Sequence, residues 1–151
     1  MLNKESIKTK TLDIIENSTD RNTTLLEISK MLKNEVYHYD WVGFYLFDAA
    51  KDGLFLGPYT GASTDHTFIP TGKGVCGQVA QHKQPMVVQD VNAIENYLSC
   101  SINVQSEIVV PVLKDGKFVA ELDIDSHSPA PFTTNDTELL EFICQKLSVL
   151  F

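Results

Sequence analysis

The chain has 151 residues, 43% of them hydrophobic, and a formal net charge of −8. That length supports one domain, residues 1–151, with its own core, and the acidic balance excludes the clustered Lys and Arg that a nucleic-acid surface needs. No apolar run could span a membrane and residues 1–6 lack the apolar block of a signal peptide, so the expected setting is the cytoplasm.

Residues 5–17 are predicted as a first helix, with Ile7, Thr11, Ile14 and Ile15 near one face. After a polar break, the capping-box pattern Thr24-Leu25-Leu26-Glu27 predicts the start of a second helix. Leu25, Ile28, Leu32 and Val36 form its buried stripe. The aromatic run 41–47 reads as a strand with Trp41, Gly43, Tyr45 and Phe47 on one face. Asp52-Gly53 signals a hairpin to a partner strand over 54–60. A short strand at 67–69 leads into a glycine-rich turn and a short helix ending near His82. A further short strand at 86–89 precedes a long connection, 91–105, of a length that is often functional. Two strands, 106–113 and 117–126, and a last helix from Thr134 complete the chain. Hairpins dominate this order, so the fold class is α+β, a mainly antiparallel central sheet of about six strands with the N- and C-terminal helices packed on one face.

Gly72-Lys73-Gly74-Val75-Cys76-Gly77 satisfies the G-x-G-x-x-G pattern of dinucleotide-binding turns. The strand before it is too short, Pro70 interrupts the approach, and hairpins follow instead of βαβ units. It reads as a tight turn whose glycines allow positive φ or close backbone approach, with exposed amides able to receive an anionic group.

Glu107, Glu121, Asp123 and Asp125 alternate with apolar residues on the last two strands. A three-residue Lys114-Asp115-Gly116 loop would pair Leu113 with Lys117, set Glu107 opposite Asp123, and keep Glu107, Asp123 and Asp125 on one face. A two-residue Asp115-Gly116 turn would shift the pairing by one and split the acids. Ionised acids this close repel one another, so at least one should hold its proton, which suits a general acid or a site for an ammonium group. A solvated outer face is the plainer alternative. Val109 and Val119, placed on the acid face, point instead to a cleft wall.

The three cysteines, Cys76, Cys100 and Cys144, have no spacing that fits a zinc site or a disulfide frame. Cys100 sits among polar residues shortly before Glu107, a setting that suits a nucleophile. Cys76 opens a helix, where the dipole would favour the thiolate. Cys144 reads as packing.

Trp41-Val42-Gly43-Phe44-Tyr45, Leu56-Gly57-Pro58-Tyr59-Thr60-Gly61, residues 69–77, Ser106-Glu107-Ile108-Val109-Val110-Pro111 and Leu122-Asp123-Ile124-Asp125-Ser126 resemble the free methionine-(R)-sulfoxide reductases, which are single GAF domains. The resemblance implies a GAF-like fold and reduction of free methionine sulfoxide without a bound cofactor. In that chemistry a thiolate takes the sulfoxide oxygen as a sulfenic acid, a second thiol resolves it, and thioredoxin or another external thiol restores the enzyme. It implies Cys100 as nucleophile, Cys76 as a second redox cysteine, Glu107, Asp123 and Asp125 as holders of the substrate that help protonate it, Trp41 and Tyr45 as pocket aromatics, and a homodimer. Two departures stand out. His66 occupies the place of the family's third cysteine, and Ser101 that of the aspartate after the nucleophile. His66 could lower the pKa of a nearby Cys100 or face solvent as a loop residue. The alternative function is a non-catalytic GAF sensor that keeps the acidic pocket for an amino-acid-like ligand.

Overall fold

The computed structural model describes residues 2–98 and 102–151. Two helices, α1 (Lys4–Glu16) and α2 (Arg21–Glu35), precede a six-stranded sheet formed by β1 (Trp41–Asp48), β2 (Gly53–Thr60), β3 (Phe68–Pro70), β4 (Met86–Val88), β5 (Ser106–Lys114) and β6 (Lys117–Ser126). Helix α3 (Gly74–His82) lies between β3 and β4, and α4 (Thr134–Leu147) follows β6. Every pairing is antiparallel, in the spatial order β3-β2-β1-β6-β5-β4. This is the expected α+β architecture. Among the described residues no helix is long and apolar enough to cross a membrane.

One sheet face receives α1, α2 and α4. Ile7, Leu25, Ile28 and Leu32 meet Val42, Phe44, Ile108, Val110, Leu122 and Ile124, closed by Leu139, Ile143 and Leu147. Burial of each such side chain contributes roughly 1.5–3 kcal/mol. The predicted stripes of α1 and α2 are the buried ones, but α2 starts three residues before Thr24. Asp20 is its N-cap, accepting from the Thr23 amide, and Thr24 is buried inside the first turn. At the rim of this core, Tyr39 Oη donates to Asp136 Oδ1 (2.6 Å), and His38 Nε2 lies 3.3 Å from the same oxygen. The other oxygen, Oδ2, accepts from the Thr133 amide in the capping box of α4, so one buried carboxylate ties that helix to the approach to β1.

The register of β5 and β6 departs from the expectation in two compensating ways. Asp115 and Gly116 have φ of 51° and 78°, and Lys114 pairs with Lys117. The turn is therefore the two-residue kind with both central residues left-handed. By itself that would send the acids to the wrong face. The pairing then jumps from Leu113–Phe118 to Val112–Ala120, leaving Val119 as the extra residue of a β-bulge. The second shift restores the parity of the first. Glu107 ends opposite Asp125 instead of Asp123, and Val109 opposite Asp123, yet all the acids share one face. The bulge also turns Val119 towards the apolar core, not the acid face.

Candidate active site

On the other face, α3 covers the middle of the sheet, packing Val75, Cys76, Val79 and Ala80 against Trp41, Tyr45, Leu54, Ile69 and Val109. Glycine brings the helix this close. A Cβ on Gly77 would sit 2.6 Å from the Pro70 carbonyl oxygen, and Gly74 stands at φ 66° at the first helical position. The glycine pattern is thus a packing and turn device, as read. The expectation of amides free for an anion fails at two of them. The Gly74 amide donates to Asn96 Oδ1 (2.7 Å) and the Gly72 amide to the Gly77 carbonyl.

Beneath α3 the acid face is buried, not solvated. Glu107, Glu121, Asp123 and Asp125 are all at most 4% exposed. A small cavity of about 10 Å³ opens above them, lined by Tyr45, His66, Lys73, Cys76, Glu107 and Asp123 among others. Cys76 Sγ donates to Glu107 Oε2 at 3.8 Å, and one ligand atom each from Cys76, Glu107 and Asp123 lie within 4.8 Å of one another. Glu121 lies against the same thiol, and no other described group hydrogen-bonds its oxygens.

Burial, followed by the charges of Asp123, Glu121 and Glu107, pushes the Cys76 thiol well above its ordinary pKa. The expected thiolate at a helix start is overturned: removal from water and three carboxylates outweigh the helix dipole. Burial likewise raises Glu121 strongly and Asp123, the latter against hydrogen bonds from Glu107 and Cys76 that lower it. Burial thus favours the protonated forms of Cys76, Glu121 and Asp123, and a cation brought among them would favour the ionised ones. Cys144 packs in the opposite core with its sulfur 3.7 Å from the Val110 carbonyl, and burial raises its pKa too.

Of the residues singled out in the sequence, Tyr45, His66, Cys76, Glu107 and Asp123 line the cavity. Tyr45 Oη donates to the His66 carbonyl (3.0 Å) and so fixes that loop. Asp125 is on the same face, opposite both Glu107 and Trp41, but is not a lining residue. Trp41 stacks on Tyr59 (5.2 Å between centroids) and donates from Nε1 to the Ala62 carbonyl, forming a wall behind the site. Cys100 and Ser101 lie outside the described residues.

Three contributors escaped the sequence reading. Glu121 was placed on the acid face but given no role. Lys73, ahead of α3, brings a cation to the cavity lining. Asn96 clasps the long connection to the glycine turn: besides accepting from the Gly74 amide, its Nδ2 donates to the Gly72 carbonyl (2.9 Å), and Gln78 donates to its own carbonyl. Leu98 follows and lines the cavity. An Asx residue in a loop is the only signal for this clasp, and it does not specify a partner.

A curled antiparallel sheet with terminal helices on one face and a pocket under a short helix on the other is the GAF architecture. A model of the GAF domain matches residues 20–150, and the chain belongs to that family. It is 36% identical over 133 residues to Protein YtsP of Bacillus subtilis, covering 87% of this chain and 80% of that one. It is 34% identical to the free methionine-R-sulfoxide reductase of Escherichia coli, covering 84% of this chain and 76% of the relative. The substrate complex of the free methionine-R-sulfoxide reductase from Neisseria meningitidis superposes with a TM-score of 0.93 at 34% identity, covering 98% of this chain and 87% of that one.

Proposed function

We propose that this protein reduces free methionine-(R)-sulfoxide. The observation that carries the reading is the buried acid cluster beneath α3, with a cation on the cavity's rim, in a chain similar over most of its length to reductases of that name. Glu107, Asp123 and Asp125 receive the substrate ammonium, which compensates charge that burial otherwise suppresses. Lys73 faces the substrate carboxylate. The Cys100 thiolate attacks the sulfoxide sulfur, and a buried carboxylic acid, Asp123 or its neighbour Glu107, gives its proton to the sulfoxide oxygen. That oxygen then passes from the substrate sulfur to the cysteine sulfur as the bond between the two sulfurs breaks, so methionine leaves and Cys100 is a sulfenic acid. Cys76 then condenses with it, releasing water, and thioredoxin or another thiol reduces the disulfide. A thiol kept protonated until that moment suits a resolving role better than a first attack. Leu98, two residues before Cys100, lines the cavity, which supports delivery of the nucleophile there. Action in the cytoplasm as a homodimer through the terminal helices belongs to the same reading; Val149 is exposed there.

The second reading, a sensor for an amino-acid-like ligand, is favoured by one observation: the third cysteine of the family pattern is His66, a cavity residue without redox chemistry. Incubation with each epimer of free methionine sulfoxide, with dithiothreitol or thioredoxin as reductant, decides between them. Methionine should form from the R epimer. Binding without turnover of either epimer would replace the enzyme by the sensor.

A further inference from the structure

The cavity floor also has the makings of a metal site. We propose that Cys76, Glu107 and Asp123 bind a zinc-class divalent ion, which excludes the cavity's organic ligand. A tetrahedral zinc with sulfur at about 2.3 Å and oxygen at about 2.1 Å sets a sulfur–oxygen edge of roughly 3.6 Å. Cys76 Sγ and Glu107 Oε2 are 3.8 Å apart, and Asp123 completes a triangle with no side longer than 4.8 Å. Small side-chain rotations close that triangle on an ion.

A second feature points to an occupant. Asp123 lines the cavity at 1% exposure, and its Oδ1 has no hydrogen-bond partner among the described residues. Glu121 adds a further buried carboxylate beside the same thiol. A buried carboxylate oxygen without a partner costs free energy, and a cation supplies the missing partner. The donor set selects the ion. One sulfur and two carboxylates suit zinc, whereas calcium and magnesium take all-oxygen shells of six or more. The donors stand on α3, β5 and β6, and all three line the cavity together with Tyr45 and His66. On binding, the Cys76 proton and any carboxyl proton pass to solvent, and nothing is oxidised. The ion then occupies the acids that would meet a substrate ammonium. That competition rests on the function proposed above; the ion site itself does not.

The test uses the full chain, reduced and freed of metal with a chelator, titrated anaerobically with cobalt(II) as an optical stand-in and then with zinc. The expected result is one ion per chain, a thiolate-to-cobalt charge-transfer band with tetrahedral visible bands, and bleaching by zinc. Cys76→Ser should lose the charge-transfer band, while Cys100→Ser and Cys144→Ser keep it. Asp123→Asn should weaken cobalt binding at least about tenfold, and this variant decides if Cys76→Ser fails to fold by circular dichroism. Absence of the band in the parent chain, its survival in folded Cys76→Ser, its loss in Cys100→Ser, or unchanged affinity in Asp123→Asn overturns the site. Free methionine sulfoxide should raise the apparent Kd for cobalt; an unchanged Kd overturns the competition. Turnover of the metal-free protein is measured separately, so failure of the reductase reading leaves the spectroscopic result standing.

Discussion

The two faces of the sheet are built from the same strands to opposite specifications. On the helix-covered face, Leu122 and Ile124 of β6 sit in a core whose buried carboxylate, Asp136, is bonded to Tyr39 and to the cap of α4. On the cavity face, the alternate residues of the same strand, Glu121, Asp123 and Asp125, are as deeply buried, and Glu121 and Asp123 crowd against the Cys76 thiol. The first face gains stability from close packing; the second gives up stability to keep groups poised for a ligand. The fold tolerates the second because the first is large and continuous.

The sharpest division between the faces is in the cysteines. If Cys100 is the nucleophile, Cys100→Ser should lower turnover by on the order of a thousandfold or more. Cys144→Ser should leave turnover near the parent value, because its thiol packs in the far core. Equal losses in steady-state assays would erase the division. Next in size, Leu122→Ala should lower unfolding free energy by about 2–5 kcal/mol in urea titrations. The KM of the folded fraction should not change, whereas Asp123→Asn should raise KM sharply with little loss of stability. Removing the Asn96 clasp tests how the long connection serves the cavity. Asn96→Ala should cost about 1 kcal/mol of stability or less yet lower kcat/KM by roughly tenfold. A drop confined to stability would make Asn96 merely structural.

The smallest effect concerns pH. Burial holds Glu121 and Asp123 above the usual carboxylate range, so the folded chain keeps protons that the unfolded chain has released. Their contribution is intact below the unfolded pKa of about 4 and declines as pH rises towards the folded value. Glu121→Gln should therefore lose less stability than the parent as pH rises above the ordinary carboxylate range. Identical pH profiles in chemical denaturation would remove Glu121 from the effect.

Alternation along β6 made the division of faces legible from the sequence, because period two needs no partner to be read. The pairing was not legible. It depends on a left-handed Asp115 and on one extra residue at Val119, and neither has a composition signal strong enough to exclude the three-residue loop. The aromatic strand and the apolar stripes of α1 and α2 were readable for the same periodic reason. Cys76 was misjudged because a helix start is visible in sequence whereas the sheet that buries it is not. Asn96 reaches the turn 22 and 24 residues away, a relation that local pattern does not carry. The GAF family itself was recognisable from its dispersed motifs, and the match to residues 20–150 bears that out.

The bulge at Val119 makes the hairpin an odd–even counter. Turn length and bulge each contribute one step, and only their sum sets which side chains meet the cavity. Val119 is the one residue of this stretch that the ladder can spare: without it Phe118 and Ala120 would follow each other opposite Leu113 and Val112, and every acid would keep its face. The bulge is therefore slack held in the strand. A one-residue loss beside it can be absorbed by closing it, whereas a one-residue change in the turn that leaves the bulge in place would exchange the two faces of β6.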